Sequence, residues 1–172
     1  EKIQSMLQNG ETSCVELTEK YLKAIEEANG ELNAYVTVTP EVALEQAKQV
    51  DEKIKRGEKL LPLEGVPMTL KDNISTNGIE TTCCSKILKG YKPIYDAKVW
   101  EVLKKNNAIL LGKTNMDEFA MGSSCETSCF GGATNPFNTD HVAGGSSGGV
   151  ASAVGGDIAA FGLGSDTGGS IR

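Results

Sequence analysis

An α/β fold is predicted for this 172-residue chain, with a mainly parallel or mixed sheet flanked by helices. Two observations carry the prediction. Stretches with apolar residues at helical spacing alternate with short apolar runs suited to strands buried on both faces. The balance of 39 % hydrophobic and 23 % charged residues is that of a globular domain with a sizeable core.

The elements follow in chain order. Residues 1–9 form a short helix ended by Gly10. Ser13 and Glu16 make a capping box for a long helix that carries Val15, Leu17, Leu22, Ile25 and Ala28 and stops at Gly30. Residues 34–38 alternate with β-branched side chains and read as a strand. Pro40 near its first turn and Gly57 past its end bracket a second long helix. Residues 63–70 read as a strand feeding Lys71-Asp72-Asn73, and Asp96 is placed to cap a helix bearing Val99, Trp100, Val102 and Leu103. A buried strand over 108–111 and a helix over 115–121 follow, then loops over 122–141. A helix over 150–154 and a second buried strand over 157–163 complete the reading.

Composition excludes several classes of function. A net charge of −6, from 17 basic and 23 acidic residues, and the lack of any Lys/Arg cluster argue against direct nucleic-acid binding. No apolar run reaches the ~20 residues that span a bilayer, and no secretion signal opens the chain. Five cysteines, an odd number without framework spacing, predict reduced thiols in a cytoplasmic protein. Cys125 and Cys129 lack a second ligand pair for zinc, so no metal is expected.

The chemistry concentrates in two glycine-dense segments. They are Gly144-Gly145-Ser146-Ser147-Gly148-Gly149 and Asp166-Thr167-Gly168-Gly169-Ser170-Ile171-Arg172. Glycines let a backbone approach a ligand closely, so the pattern suits a serine nucleophile working beside bare N–H donors. A Ser-His-Asp triad would require a histidine as base, and His141, the one histidine, reads as a solvated loop residue. Gly112-Lys113-Thr114 resembles the end of a P-loop, but Asn107 stands where that motif needs glycine. Phosphate binding through bare amides at a helix N-terminus is the weaker alternative. If a base is encoded here, lysine is the better candidate; Lys71, at the end of an apolar strand, reads from composition alone as a surface lysine at a strand exit, and its use as a base requires the neutral amine. Lowering a lysine pKa from ~10.4 to about 7 takes roughly 4–5 kcal/mol, which burial can supply. A neutral lysine can then accept a proton from a serine hydroxyl.

These residues resemble the amidase signature family. The resemblance is carried by Met68-Thr69-Leu70-Lys71-Asp72-Asn73, the two glycine-serine segments, residues 112–123 and Thr134-Asn135-Pro136-Phe137-Asn138. Within the family the match is to glutamine-hydrolysing subunits of tRNA-dependent amidotransferases. It covers the chain from Leu7 onward and is most specific over 60–172. The resemblance implies an amidase-type mixed sheet flanked by helices, incomplete in this fragment. It further implies one amidase domain, with a helical region over about 1–60 and part of the catalytic core over about 61–172. Family members are much longer, and a chain opening on Glu1 and closing two residues past Ser170 is expected to be an N-terminal piece.

The resemblance assigns Lys71 as base, Ser146 as a bridging serine held after a cis peptide bond, and Ser170 as nucleophile. Backbone N–H groups of Thr167, Gly168, Gly169 and Ser170 form the oxyanion hole, each donor worth about 3–4 kcal/mol. Met121, Gly122 and Ser123 are candidates for the substrate pocket. Ser147 is expected to bond its own loop, and Asp166 with Arg172 to brace the nucleophile loop. Ala143 departs from the proline the family commonly carries there. The implied substrate is glutamine and the implied partners are amidotransferase subunits B and C, with charged tRNA reached through the complex. No cofactor belongs to this chain, since ATP and Mg are used by the partner subunit. Two other readings stay open: a free-standing amidase for another amide, and a fragment that is non-catalytic alone.

Overall fold

The computed structural model describes residues 2–172. Helix α1, Lys2–Gln8, buries Leu7, and Gly10 ends it at φ 71°. Glu1, part of the expected first helix, lies outside the described residues. Helix α2, Cys14–Leu32, starts on the predicted box: Ser13 Oγ accepts from Glu16 N at 3.1 Å, and Ser13 N donates to Glu16 Oε2 at 2.9 Å. Asp51 strengthens that start by accepting from Cys14 N at 2.7 Å and Val15 N at 3.0 Å.

Contrary to the sequence reading, Gly30 does not stop α2. A glycine inside a helix costs only about 1 kcal/mol. Two more residues bring Leu32 into the core, and Asn33 takes the left-handed cap at φ 46°. Strand β1, Tyr35–Val38, and helix α3, Pro40–Lys55, fall close to their predicted places, with proline at the start of α3.

Strand β2, Pro67–Lys71, is shorter than the apolar run before it. Residues 61–66 turn instead, with Glu64 N donating to Leu61 O and Val66 N to Leu63 O. Proline, lacking a donor, sits at the strand's first residue. Helix α4, Lys98–Lys105, is preceded by Ala97, and the expected Asp96 cap is absent. Asp96 Oδ1 accepts from Asn77 N at 2.6 Å and Oδ2 pairs with Lys104, so its carboxylate ties a loop to the helix flank.

Strand β3, Ile109–Thr114, leads into the segment where the helix over 115–121 was expected, and only a 3-10 turn, Glu118–Ala120, forms. Phe119 and Ala120 there have φ of 51° and 62°. Side chains win over helical propensity: Asn115 Nδ2 donates to Asn33 O and Gly131 O, and the Asp117 carboxylate gathers donors from the loop ahead. Helix α5, Gly148–Gly155, and strand β4, Phe161–Leu163, close the fold. The expected strand over 157–163 loses its first half because Asp157 N and Ile158 N bond back to Val154 O and Ala153 O.

The sheet is mixed, in the order β1-β3-β2-β4, with β1 antiparallel to β3 and β2 parallel to both β3 and β4. One face buries Ile109 and Leu111 with Ile25, Ala43, Ala47 and Val50, and the other buries Met68, Leu70 and Leu110 with Trp100 and Leu103. Because β2, β3 and β4 run parallel, their C-terminal ends share one edge. Lys71, Thr114 and Leu163 stand there, and the functional loops depart from it.

Candidate active site

Lys71 closes β2 fully buried. Its Nζ lies 2.7 Å from Ser146 Oγ, 3.0 Å from Ser147 Oγ, 2.9 Å from Ser165 Oγ and 3.4 Å from Ser165 O. Burial holds its pKa below the ordinary lysine value, opposed by the negative charges of Asp117 and Asp166. The site therefore contains an amine biased toward its proton-accepting form, in contact with a buried serine.

Ser146 is fully buried and follows a cis Gly145–Ser146 peptide, as the resemblance implied. Its position is set from beneath. Asp117 N donates to Ser146 O at 3.2 Å, and the buried Asp117 carboxylate accepts from Cys125 N at 2.9 Å and Thr127 Oγ1 at 2.9 Å. Glycine is required at 145 by close approach, since a Cβ there would stand 2.2 Å from Asp117 Oδ2 and 2.7 Å from the amides of Ser124 and Cys125. Gly145→Ala is expected to cost about 1–3 kcal/mol of stability by overpacking. A urea titration that leaves the midpoint unmoved would show that Asp117 can retreat.

Ser170 is half-buried, and its carbonyl accepts from Ser147 N at 3.1 Å, which moors the nucleophile loop beside Ser146. Its own Oγ makes no hydrogen bond among the described residues. The structure thus joins Lys71 to Ser146 directly and brings Ser170 next to them without closing the last link. Asp166 and Arg172 brace this loop as expected, at 3.2 Å. The Arg172 side chain, with the Ile171 N–H, holds the Asp166 carboxyl well below the usual carboxylate range. Asp166 Oδ1 also takes the Gly169 N–H at 2.8 Å. Of the four amides assigned to an oxyanion hole, Gly169 is therefore already engaged. Those of Thr167, Gly168 and Ser170 find no acceptor among the described residues.

Ser170 lines two adjoining cavities of about 490 Å³ each. Met121, Gly122 and Ser123 border the second together with Thr167 and Gly168, so the candidate substrate residues do face the nucleophile loop. His141 is exposed, in a turn closed by its N–H on Asn138 O, and makes none of the hydrogen bonds of this cluster. All five cysteines are free, and no metal-ligating cluster occurs among the described residues. Burial pushes the Cys84 thiol up to about 12 and raises that of Cys125, so neither supplies a thiolate to rival the serines.

Three groups escaped the sequence reading. Ser165 contacts Lys71 and accepts from Asn73 Nδ2 at 2.9 Å. Asp117 is the brace already described. Lys113, compared in the sequence only with a P-loop lysine, is fully buried, donating to Ile74 O at 2.9 Å and Thr81 Oγ1 at 2.8 Å and facing Asp72 Oδ1 at 3.5 Å. A signal existed for Lys113 alone: a lone lysine at the end of an apolar strand, the same pattern that singled out Lys71.

Comparison with known proteins places this chain in a family. The chain is 52 % identical over 171 residues to the A subunit of glutamyl-tRNA(Gln) amidotransferase from Thermoanaerobacter pseudethanolicus, covering 99 % of this chain and 35 % of that protein. It is 55 % identical over 162 residues to the Carboxydothermus hydrogenoformans protein of the same name, covering 94 % of this chain and 33 % of that one. The crystal structure of the Thermotoga maritima protein, again of that name, superposes with a TM-score of 0.78 at 37 % identity, over 92 % of this chain and 32 % of that one. Native peptide amidase from Stenotrophomonas maltophilia superposes at 0.90 and 34 % identity, over 98 % and 36 %. The chain spans about a third of the length of the curated relatives it matches. No helix among the described residues is long and apolar enough to cross a membrane. With the amidase family model matching residues 16–172, this chain belongs to the amidase family.

Proposed function

We propose that the chain carries the amide-cleaving centre of a glutamine-hydrolysing amidotransferase subunit, with Lys71, Ser146 and Ser170 as its catalytic residues. The observation that supports this most is a buried lysine of lowered pKa 2.7 Å from a buried serine hydroxyl, beside a serine that lines an open cavity. Identity above 50 % to relatives named for the glutamyl-tRNA(Gln) amidotransferase selects the substrate class.

Neutral Lys71 accepts the Ser146 proton while Ser146 Oγ accepts that of Ser170. Ser170 Oγ then bonds to the carboxamide carbon, and the carbonyl π pair moves onto oxygen. The N–H groups of Thr167, Gly168 and Ser170 stabilise that O⁻. On collapse the C–N bond breaks, and the proton held by Lys71 returns through Ser146 to the leaving nitrogen, which departs as ammonia. Water repeats the sequence on the acyl-serine and releases glutamate. Ammonia passes to subunits B and C, where glutamate on charged tRNA is amidated with ATP and Mg, so this chain requires no cofactor.

The test is ammonia release by the full-length protein assembled with its partner subunits. Glutamine is expected to be cleaved, and Ser170→Ala to lower the rate by about 10⁴-fold or more. Cleavage of peptide or aryl amides without glutamine would instead support the free-standing amidase reading. A Ser170→Ala protein with parental rates would remove the serine mechanism.

A further inference from the structure

The polar contacts around Lys71 constrain the direction of its own hydrogen bonds. Ser147 Oγ donates to Ser165 O at 3.1 Å, so its single proton is committed and it can only accept from Lys71, at 3.0 Å. On the other side Lys71 meets both oxygens of Ser165, the hydroxyl at 2.9 Å and the carbonyl at 3.4 Å. Ser165 Oγ already accepts from Asn73 Nδ2, and an N–H of Lys71 aimed between the Ser165 hydroxyl and carbonyl serves both oxygens, with the hydroxyl hydrogen of half-buried Ser165 directed away from Lys71. A neutral amine has two N–H bonds and one lone pair. With Ser147 and Ser165 taking the two hydrogens, the lone pair is left for the nearest neighbour, Ser146 Oγ at 2.7 Å. Asn73 stands behind Ser165, its Nδ2 at 2.9 Å from the Ser165 hydroxyl.

We propose that Ser165, held by Asn73, is a positioning residue that sets the hydrogen-bond polarity of the relay. With Ser147 it takes both N–H bonds of the neutral lysine and so aims the lone pair at Ser146. Without the Ser165 hydroxyl, a Lys71 N–H is free to turn toward Ser146, which is the wrong direction for accepting a proton. Ser165 also supplies one of three hydroxyl acceptors for the ammonium form, so its loss disfavours that form. The charged groups that bear on Lys71, Asp117 and Asp166, and the neutral thiols of Cys84 and Cys125 are untouched by the change.

The inference rests on the serine mechanism proposed above, and the experiment separates the two. In the full-length complex, glutamine hydrolysis and labelling of Ser170 by a fluorophosphonate are followed against pH for the parent, Ser165→Ala, Ser165→Thr, Asn73→Ala and Ser170→Ala. For Ser165→Ala the plateau rate is expected to fall about 10- to 100-fold, at or below the roughly 10²–10⁴-fold that a positioned acid–base group itself contributes, with its acid limb moved to lower pH. Ser165→Thr restores both, and Asn73→Ala shifts both in the same direction by less. A Ser165→Ala protein with an unmoved acid limb, whatever its plateau, overturns the inference while labelled Ser170 leaves the triad standing. If Ser165→Ala does not fold, Asn73→Ala decides alone, and an unmoved limb there overturns it equally. Failure of parental Ser170 to label or of Ser170→Ala to lose activity would instead strike the underlying mechanism.

Discussion

Replacing Lys71 with methionine is expected to lower amide hydrolysis by about 10²–10⁴-fold and to erase the acid limb of the pH–rate profile. The side chain keeps its length and apolar stem, so β2 and the surrounding core stay filled. What disappears is the amine 2.7 Å from Ser146 Oγ, proposed above to receive its proton. The same substitution has a signature in stability. Burial lowers the Lys71 pKa in the folded protein, while in the unfolded chain it returns to the ordinary value near 10.5. Between the lowered value and 10.5 the unfolded state binds more protons than the folded state, so parental stability rises with pH across that window. Below the folded pKa the full penalty of a buried ammonium is present. The methionine variant lacks this slope. Urea titrations at several pH values should therefore show variant and parent differing most on the acid side and converging as pH rises toward the unfolded pKa. Parallel curves would mean that Lys71 has the same affinity for protons in both states, and the proton-relay assignment would lose its physical basis.

How much of this was legible in the sequence depends on the range of the interaction. Elements governed by local chemistry were readable: the Ser13–Glu16 box, proline at the start of α3, and the apolar run within β3. Lys71, Ser146 and Ser170 stood out because their motifs are unusual as strings, and the fold brings them to one edge of the sheet. The failures are places where a distant partner overrules local preference. Residues 115–121 look helical until Asn115 bonds Asn33 and Gly131 across the molecule and Asp117 collects the 125–127 loop. Asp96 looks like a cap until Asn77 claims its carboxylate. Ser165 carried no signal, since a serine in a glycine-rich segment says nothing of a lysine 94 residues away. Lys113 was misjudged for a related reason: its burial is fixed by Asp72, Ile74 and Thr81, all on a loop that the sequence reading left unassigned.

Lys113→Met is expected to destabilise the full-length protein by about 3–5 kcal/mol at neutral pH, the range for removing one partner of a buried ion pair. Lys113 and Asp72 are both fully buried, and burial pushes the Asp72 carboxyl up and the Lys113 amine down, each opposed by the other's charge. Asp72 Oδ2 is well supplied by Thr82 and Cys84, but Oδ1 accepts no hydrogen bond among the described residues and faces Lys113 Nζ at 3.5 Å. Without the ammonium, a carboxylate is left buried with one oxygen unpaired. Its folded pKa then rises further above the unfolded value, so the folded state binds more protons in that interval and stability increases as pH falls through the folded pKa. The loss should accordingly shrink on acidification, and the double variant Lys113→Met, Asp72→Asn should recover part of it at neutral pH. Urea midpoints at neutral and mildly acidic pH check both points. The same loss at each pH, with no recovery in the double variant, would mean that Asp72 is already uncharged in the parent and that Lys113 acts through its bonds to Ile74 and Thr81. The pair matters to the site because Asp72 directly follows Lys71 and Lys113 is paired with Leu70 across the sheet. The ion pair thus ties the residue after Lys71 to the strand beside it, bracing the end of β2 that carries Lys71 Nζ to within 2.7 Å of Ser146 Oγ.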